Sequence, residues 1–181
     1  METYGHHNPT EDDEAIVALA EQCLFPWPQP IAVEVGAWMG STTLLLAKLG
    51  FRVFAVDHWK GSPGDPGIMT DKYEELGQAA LFKTFCNNMG DRLCRTVFPL
   101  VGSSEFIANA WDPELKISFL LIDGDHRYEY AKQDNELWSR HVAPGGIVAF
   151  HDYGVFAGVN RAVIESGPFE RAGYCIAWRR V

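Results

Sequence analysis

Ile31 to Val35 reads IAVEV and Arg52 to Asp57 reads RVFAVD, two short apolar runs rich in β-branched residues. Between them, GAWMGSTTLLLAKLG has helical spacing, with Ser41 or Thr42 able to cap it and Gly50 to close it. Strands without polar alternation must be covered on both faces. Strand, helix and strand within about 27 residues require a parallel pair joined by a right-handed crossover. The alternation continues through RTVFPLVG, KISFLLID and GGIVAFHD as further strands, separated by SSEFIANAW and YEYAKQDNELWSRHV as helices. TDKYEELGQAALFKTFCNNMG reads as an amphipathic helix ended by Gly90, GVNRAVIESG as a short helix, and AGYCIAWRRV as a last strand of imperfect alternation. The pattern predicts a three-layer, doubly wound, mainly parallel α/β sheet with clear signal for six strands.

Residues 1–30 lead into this unit. NPTEDDEAIVALAEQCL offers Thr10 as an N-cap, acids in the first helical turn and an apolar face, and FPWPQP ends that helix. His6 and His7 sit in a polar start expected to be loose. With 181 residues, 47% of them hydrophobic, one domain over 1–181 accounts for the whole chain. A formal charge of -9 opposes binding to a phosphate backbone, so nucleic acid is not an expected partner. No apolar run approaches the roughly 18 residues needed to cross a bilayer, and METYGHHNPTEDDE is too polar for a signal peptide, so no membrane association is expected. Cys23, Cys86, Cys94 and Cys175 are scattered and form no C-x-x-C pair, which reads as free thiols in a reducing, cytoplasmic setting.

In an open parallel sheet, ligands bind beyond the carboxyl ends of the strands. Those ends carry Glu34 with GAWMGS, then Asp57-His58-Trp59, Gly102-Ser103-Ser104, then Asp123, Asp125 and His126, and finally His151-Asp152-Tyr153. GAWMG is not the G-x-G-x-x-G of dinucleotide sites, and Trp38 and Met39 make the loop bulky for a pyrophosphate. Asp57, about 20 residues on, is placed to accept both hydroxyls of a ribose. A nucleoside ligand without phosphates, its amino-acid end near Gly36 and Ser41, fits this combination. The loop His58 to Met69, rich in Gly and Pro, borders it.

Asp123, His151 and Asp152 are expected to converge from adjacent strands. Two buried carboxylates repel each other unless a proton or a cation intervenes, and oxygen ligands with one imidazole suit Mg or Mn. The competing structural roles are turn hydrogen bonds for Asp123, a helix cap for Asp125 and solvation for His126. Asp134 and Glu136 read as a solvated helix face.

VEVGAWMGSTTLLLAKLGFRVFAVDHW, LIDGDHRYEYAKQD, APGGIVAFHDY and GVNRAV, in that order, resemble the class I S-adenosylmethionine-dependent methyltransferases over roughly Ile31 to Val163. The nearest likeness is to macrocin-type sugar O-methyltransferases and cephalosporin hydroxylase-like proteins. The resemblance implies a Rossmann-like sheet with a seventh strand in a final antiparallel hairpin, for which the sequence gives no clear signal. It implies S-adenosylmethionine bound by Glu34, Gly36, Ala37, Trp38 and Ser41 at the methionine end and by Asp57 at the ribose. His58, Trp59 and Ser103 would border the adenine, with Asp123 adjoining the donor; Trp59 is equally suited to the core. It also implies a metal-binding acid at the end of the fourth strand and a polar pair at the end of the fifth, here His-Asp where relatives carry Asp-Asp or Asp-Asn. The implied reaction is O-methylation of a small-molecule hydroxyl, with Asp125 or His126 as base; an imidazole of ordinary pKa, about 6.5, suits neutral pH. Alternatives on the same scaffold are a metal-dependent oxygenase or hydrolase, or a non-catalytic nucleoside-binding module. The short chain leaves either a small acceptor or a pocket completed by a partner subunit, as in a homo-oligomer.

Overall fold

A computed structural model describes residues 10–24, 29–62 and 68–181, with the backbone alone for 68–74. His6, His7, most of FPWPQP and residues 63–67 lie outside the described residues. In chain order the elements are α1 (Thr10–Glu21), β1 (Ile31–Val35), α2 (Ser41–Leu49), β2 (Arg52–Asp57), α3 (Ile68–Met89), β3 (Val97–Val101) and α4 (Ser104–Ala110). They continue with β4 (Ile117–Ile122), α5 (Tyr128–Trp138), β5 (Val142–Phe150), α6 (Ala157–Glu165), β6 (Glu170–Ala172) and β7 (Ile176–Arg180). One seven-stranded sheet runs β3-β2-β1-β4-β5-β7-β6. β7 is antiparallel to both β5 and β6, and the remaining pairs are parallel.

The final hairpin is therefore present. β6 left no signal because it is only Glu170-Arg171-Ala172, largely exposed and without apolar alternation. Pro99 is tolerated inside β3 because that strand lies at the sheet edge. α2 starts from Gly40 in a left-handed conformation (φ 86), so Ser41 is its first residue rather than its cap. Gly50 closes α2 as expected, donating to the carbonyls of Leu46 and Ala47. α3 begins two residues before Thr70 and is two helical runs joined at Gly77 (φ 72, ψ 163).

Strand side chains alternate between two apolar layers. Ala32, Val53, Ala55, Phe119, Leu121, Ile147 and Ala149 meet α1, α2 and α3, and Val33, Val35, Val56, Leu120, Ile122, Val148 and Phe150 meet α4, α5 and α6. Asp134 departs from the expected solvated face: α5 turns Ala131, Asp134, Asn135 and Trp138 inward, leaving Asp134 5% exposed, whereas Glu136 is exposed. Ser104 donates to Asp134 Oδ1 at 2.5 Å and Trp138 Nε1 donates to Ser104 Oγ at 2.8 Å, tying α5 to the start of α4. All four cysteines are free, and among the described residues no helix is long and apolar enough to cross a membrane.

Candidate active site

β1 pairs with β2 on one side and β4 on the other, so chain order reverses between β1 and β4 and their carboxyl ends open the crevice such sheets use. There the two loops touch. Gly36 has φ 92, and a Cβ on it would stand 2.0 Å from the Asp123 carbonyl oxygen, which only glycine allows.

On the β1–β2 side, Asp57 Oδ2 accepts from Trp38 N–H at 2.8 Å and Oδ1 from Trp59 N–H at 2.6 Å. Burial pushes its carboxyl up, against the pull of these amides and of His58. Each oxygen retains acceptor capacity, a pair of sites matched to a vicinal diol. Trp38 and Trp59 both hold left-handed backbones, φ 46 and 51. Trp59 is 1% exposed, packs on Phe82 and Phe85 and donates through Nε1 to the Trp38 carbonyl at 2.6 Å. It is a core aromatic under the site rather than a wall of an open pocket. Trp38 Nε1 is buried with no hydrogen-bond partner, a donor awaiting an acceptor. Ala37 is buried, Ser41 opens α2, and His58 is half-exposed, its Nδ1 accepting from Lys60 N–H at 3.0 Å. Ser103 is the N-cap of α4, its hydroxyl accepting from Phe106 N–H at 3.3 Å. Glu34 is 2% exposed and accepts from the Thr43 hydroxyl, with its carboxyl raised well above the usual range by burial.

On the β4–β5 side, His151 Nδ1 lies 3.2 Å from Asp123 Oδ1 and 3.1 Å from Asp152 Oδ2. Neither approach is aligned for a hydrogen bond, so this buried nitrogen is orphaned between two carboxylates. Burial would lower the His151 pKa, but the Asp123 charge and the other acceptors around the ring hold it far above the ordinary value. Burial would raise Asp152, and the two imidazoles hold it well below the carboxylate range instead. His126 Nε2 is 2.9 Å from Asp152 Oδ2, and its ring stacks on Phe156 with centroids 4.0 Å apart. Donor atoms of Asp123, His126 and Asp152 all lie within 4.8 Å of one another. Asp152 itself is left-handed, φ 64. Asp125 takes no part in this cluster's geometry: Arg127 engages both its oxygens, at 2.9 Å through Nε and 2.5 Å through a terminal nitrogen. Burial works to raise the Asp125 pKa, but Arg127 draws it below the ordinary value.

Asp123, His151 and Asp152 thus come together as the strand ends suggest, and His126 joins them. Sequence reading missed Asp12 and Cys175, which lie behind His151. Asp12 looked like one of several first-turn acids, and Cys175 like a core thiol.

The seven-stranded, mainly parallel sheet with its final antiparallel hairpin is the architecture of the class I S-adenosylmethionine-dependent methyltransferases. The model of a family described as a methyltransferase domain matches residues 33–153, and the chain belongs to that family. Among solved structures, the chain is similar to the O-methyltransferase NovP, with TM-score 0.67 and 20% identity over 94% of this chain and 79% of that one. It is similar to CalS11, a TDP-rhamnose 3'-O-methyltransferase of calicheamicin biosynthesis, with TM-score 0.61 and 20% identity over 93% and 78%. A Streptococcus mutans protein solved in complex with SAH gives TM-score 0.60 and 14% identity over 96% and 97%. No curated protein matches.

Proposed function

We propose that the chain methylates a hydroxyl oxygen of a small molecule, with S-adenosylmethionine as donor and a divalent cation, Mg or Mn, at the ends of β4 and β5. The observation that carries this reading is the cluster Asp123, His126, His151 and Asp152, whose Asp123 lies with its backbone carbonyl against Gly36. Donor loop and acid cluster share one contact. Asp57 would hold the ribose diol through its unused lone pairs, and Glu34, Ala37, Trp38 and Ser41 would surround the methionine end, with the unpaired Trp38 indole N–H as a donor to it. His58 and Ser103 would border the adenine.

The residues fit a cation, because the buried His151 Nδ1, without an aligned partner, and the converging Asp123 and Asp152 oxygens make a donor set in which a cation would take the place of the His151 proton. When bound there it would lower the pKa of the acceptor hydroxyl and orient its oxygen. His126 is the better base of the two expected, since Asp152 orients its ring and would stabilise the imidazolium, while Arg127 occupies Asp125. A second reading makes His126 a ligand, on the proximity of its Nε2 to the Asp123 and Asp152 oxygens. The cysteines, all free, suit a cytoplasmic placement.

The test is calorimetric titration of chelator-treated protein with S-adenosylmethionine and with NAD, followed by transfer of labelled methyl to hydroxylated acceptors with Mg or Mn. Donor binding and transfer to oxygen support the reading; donor binding with oxygen acceptors inert across the panel points to another nucleophile or to the binding-module alternative. His126→Gln separates the two roles. As base, its loss cuts kcat about 100-fold or more with metal affinity intact. As ligand, its loss weakens metal binding. Asp125→Ala is expected to leave kcat within a few-fold.

A further inference from the structure

The His151 ring has a second edge, carrying Nε2, which faces Cys175 and Asp12. Its Nε2 lies 3.7 Å from Cys175 Sγ and 3.9 Å from Asp12 Oδ2. Asp12 comes from α1 and Cys175 from the turn into β7, 163 positions apart. Both are sealed from solvent, at 0% and 2% exposure. Asp12 Oδ1 accepts the amides of Tyr174 and Cys175 at 2.8 and 2.9 Å, and its Oδ2 accepts the Cys175 thiol at 3.2 Å. The turn can approach this closely because residue 173 is glycine: a Cβ there would stand 2.7 Å from Asp12 Oδ1.

These contacts have a direction. A carboxylate only accepts, so the thiol proton goes to Asp12 Oδ2 at 3.2 Å, the nearer acceptor, or to Asp152 Oδ1 at 3.9 Å, and in either case the sulfur presents lone pairs to His151. Nε2 must then carry a proton. A ring held with Nε2–H inward offers Nδ1 to the Asp123 and Asp152 side, the arrangement that outer carboxylate or backbone partners impose on metal-ligating histidines.

We propose that Asp12 and Cys175 are positioning residues that hold His151 with Nε2–H facing inward and Nδ1 facing Asp123 and Asp152, so that α1 belongs to the active site. The inference rests on the reading of a divalent cation at Asp123, His151 and Asp152. Cys175→Ser keeps a hydroxyl able to repeat both contacts. Cys175→Ala removes them, and Asp12→Asn can place an amide donor where Oδ2 now accepts, reversing the order of donors towards His151.

The experiment combines ring-nitrogen NMR of His151 in the metal-free protein with Mn titration calorimetry, thermal melting serving as the control for folding. In the wild type and Cys175→Ser, the Nε2 proton is expected to lie against residue 175 and exchange slowly with water, and Mn affinity to agree within about threefold. In Cys175→Ala and Asp12→Asn, the Nε2 proton signal should shift or vanish and Mn affinity should fall about 10- to 100-fold. A wild-type His151 whose Nε2 proton exchanges freely with water, away from residue 175, would overturn the proposal. So would ring shifts and Mn affinity that survive both variants while only the melting temperature drops. If the wild type shows the expected ring and the variants lose it, yet none binds Mn or Mg, the positioning role stands and the cation reading fails.

Discussion

Burial pushes the Asp134 carboxyl up to about 7, against the pull of the Ser104 hydroxyl and with Asp125 adding to the rise. The folded value lies above the unfolded one of about 3.9, so the group's stabilising contribution is complete below pH 4 and is lost as pH rises towards 7. Asp134→Asn keeps the shape and removes the titration. Its stability relative to wild type should rise across that window by a few kcal/mol, at about 1.4 kcal/mol per pH unit, as measured by urea midpoints at pH 4.5 and 7.5. Gly36→Ala goes the other way: a left-handed alanine pressed on the Asp123 carbonyl should cost on the order of 3 kcal/mol and abolish donor binding in calorimetry. At this scale the convergence of Asp123, His151 and Asp152 was legible, since they follow neighbouring strands of a parallel sheet. Asp134 and Asp12 were not, because their meaning depends on partners 30 and 163 positions away.

Elements were legible wherever apolar periodicity marked them. β1, β2, β4 and β5 declared themselves as largely apolar runs because both faces are covered, whereas β6 is three mostly exposed residues whose strand pairing is with β7 alone among the described residues. The break in α3 was equally silent: glycine in a helical pattern normally reads as a tolerated weakness. At Gly77 the backbone sits at φ 72, ψ 163, a region that only glycine occupies readily. Gly77→Ala should therefore cost about 1–3 kcal/mol although a Cβ would meet no atom within 4 Å, and the loss should appear as a lower melting temperature.

For the whole molecule, the proposed site draws on both halves of the sheet, Asp57 and Trp38 from one and Asp123, His151 and Asp152 from the other. A ligand that bridges them should stabilise the folded state globally. At a hundredfold excess over its Kd, S-adenosylmethionine is expected to add about 2.7 kcal/mol, seen as a rise in melting temperature that grows with donor concentration and is absent for NAD. The anchoring of Asp12 on the Tyr174–Cys175 turn also bears on how the protein comes into being. During translation, α1 emerges early and must wait for the last hairpin before its carboxylate finds a partner. A nascent chain stalled before residue 175 has Asp123, His151 and Asp152 already synthesised but nothing behind His151. If Asp12 and Cys175 position His151 as proposed, the site is complete only once the β6–β7 hairpin has docked on α1.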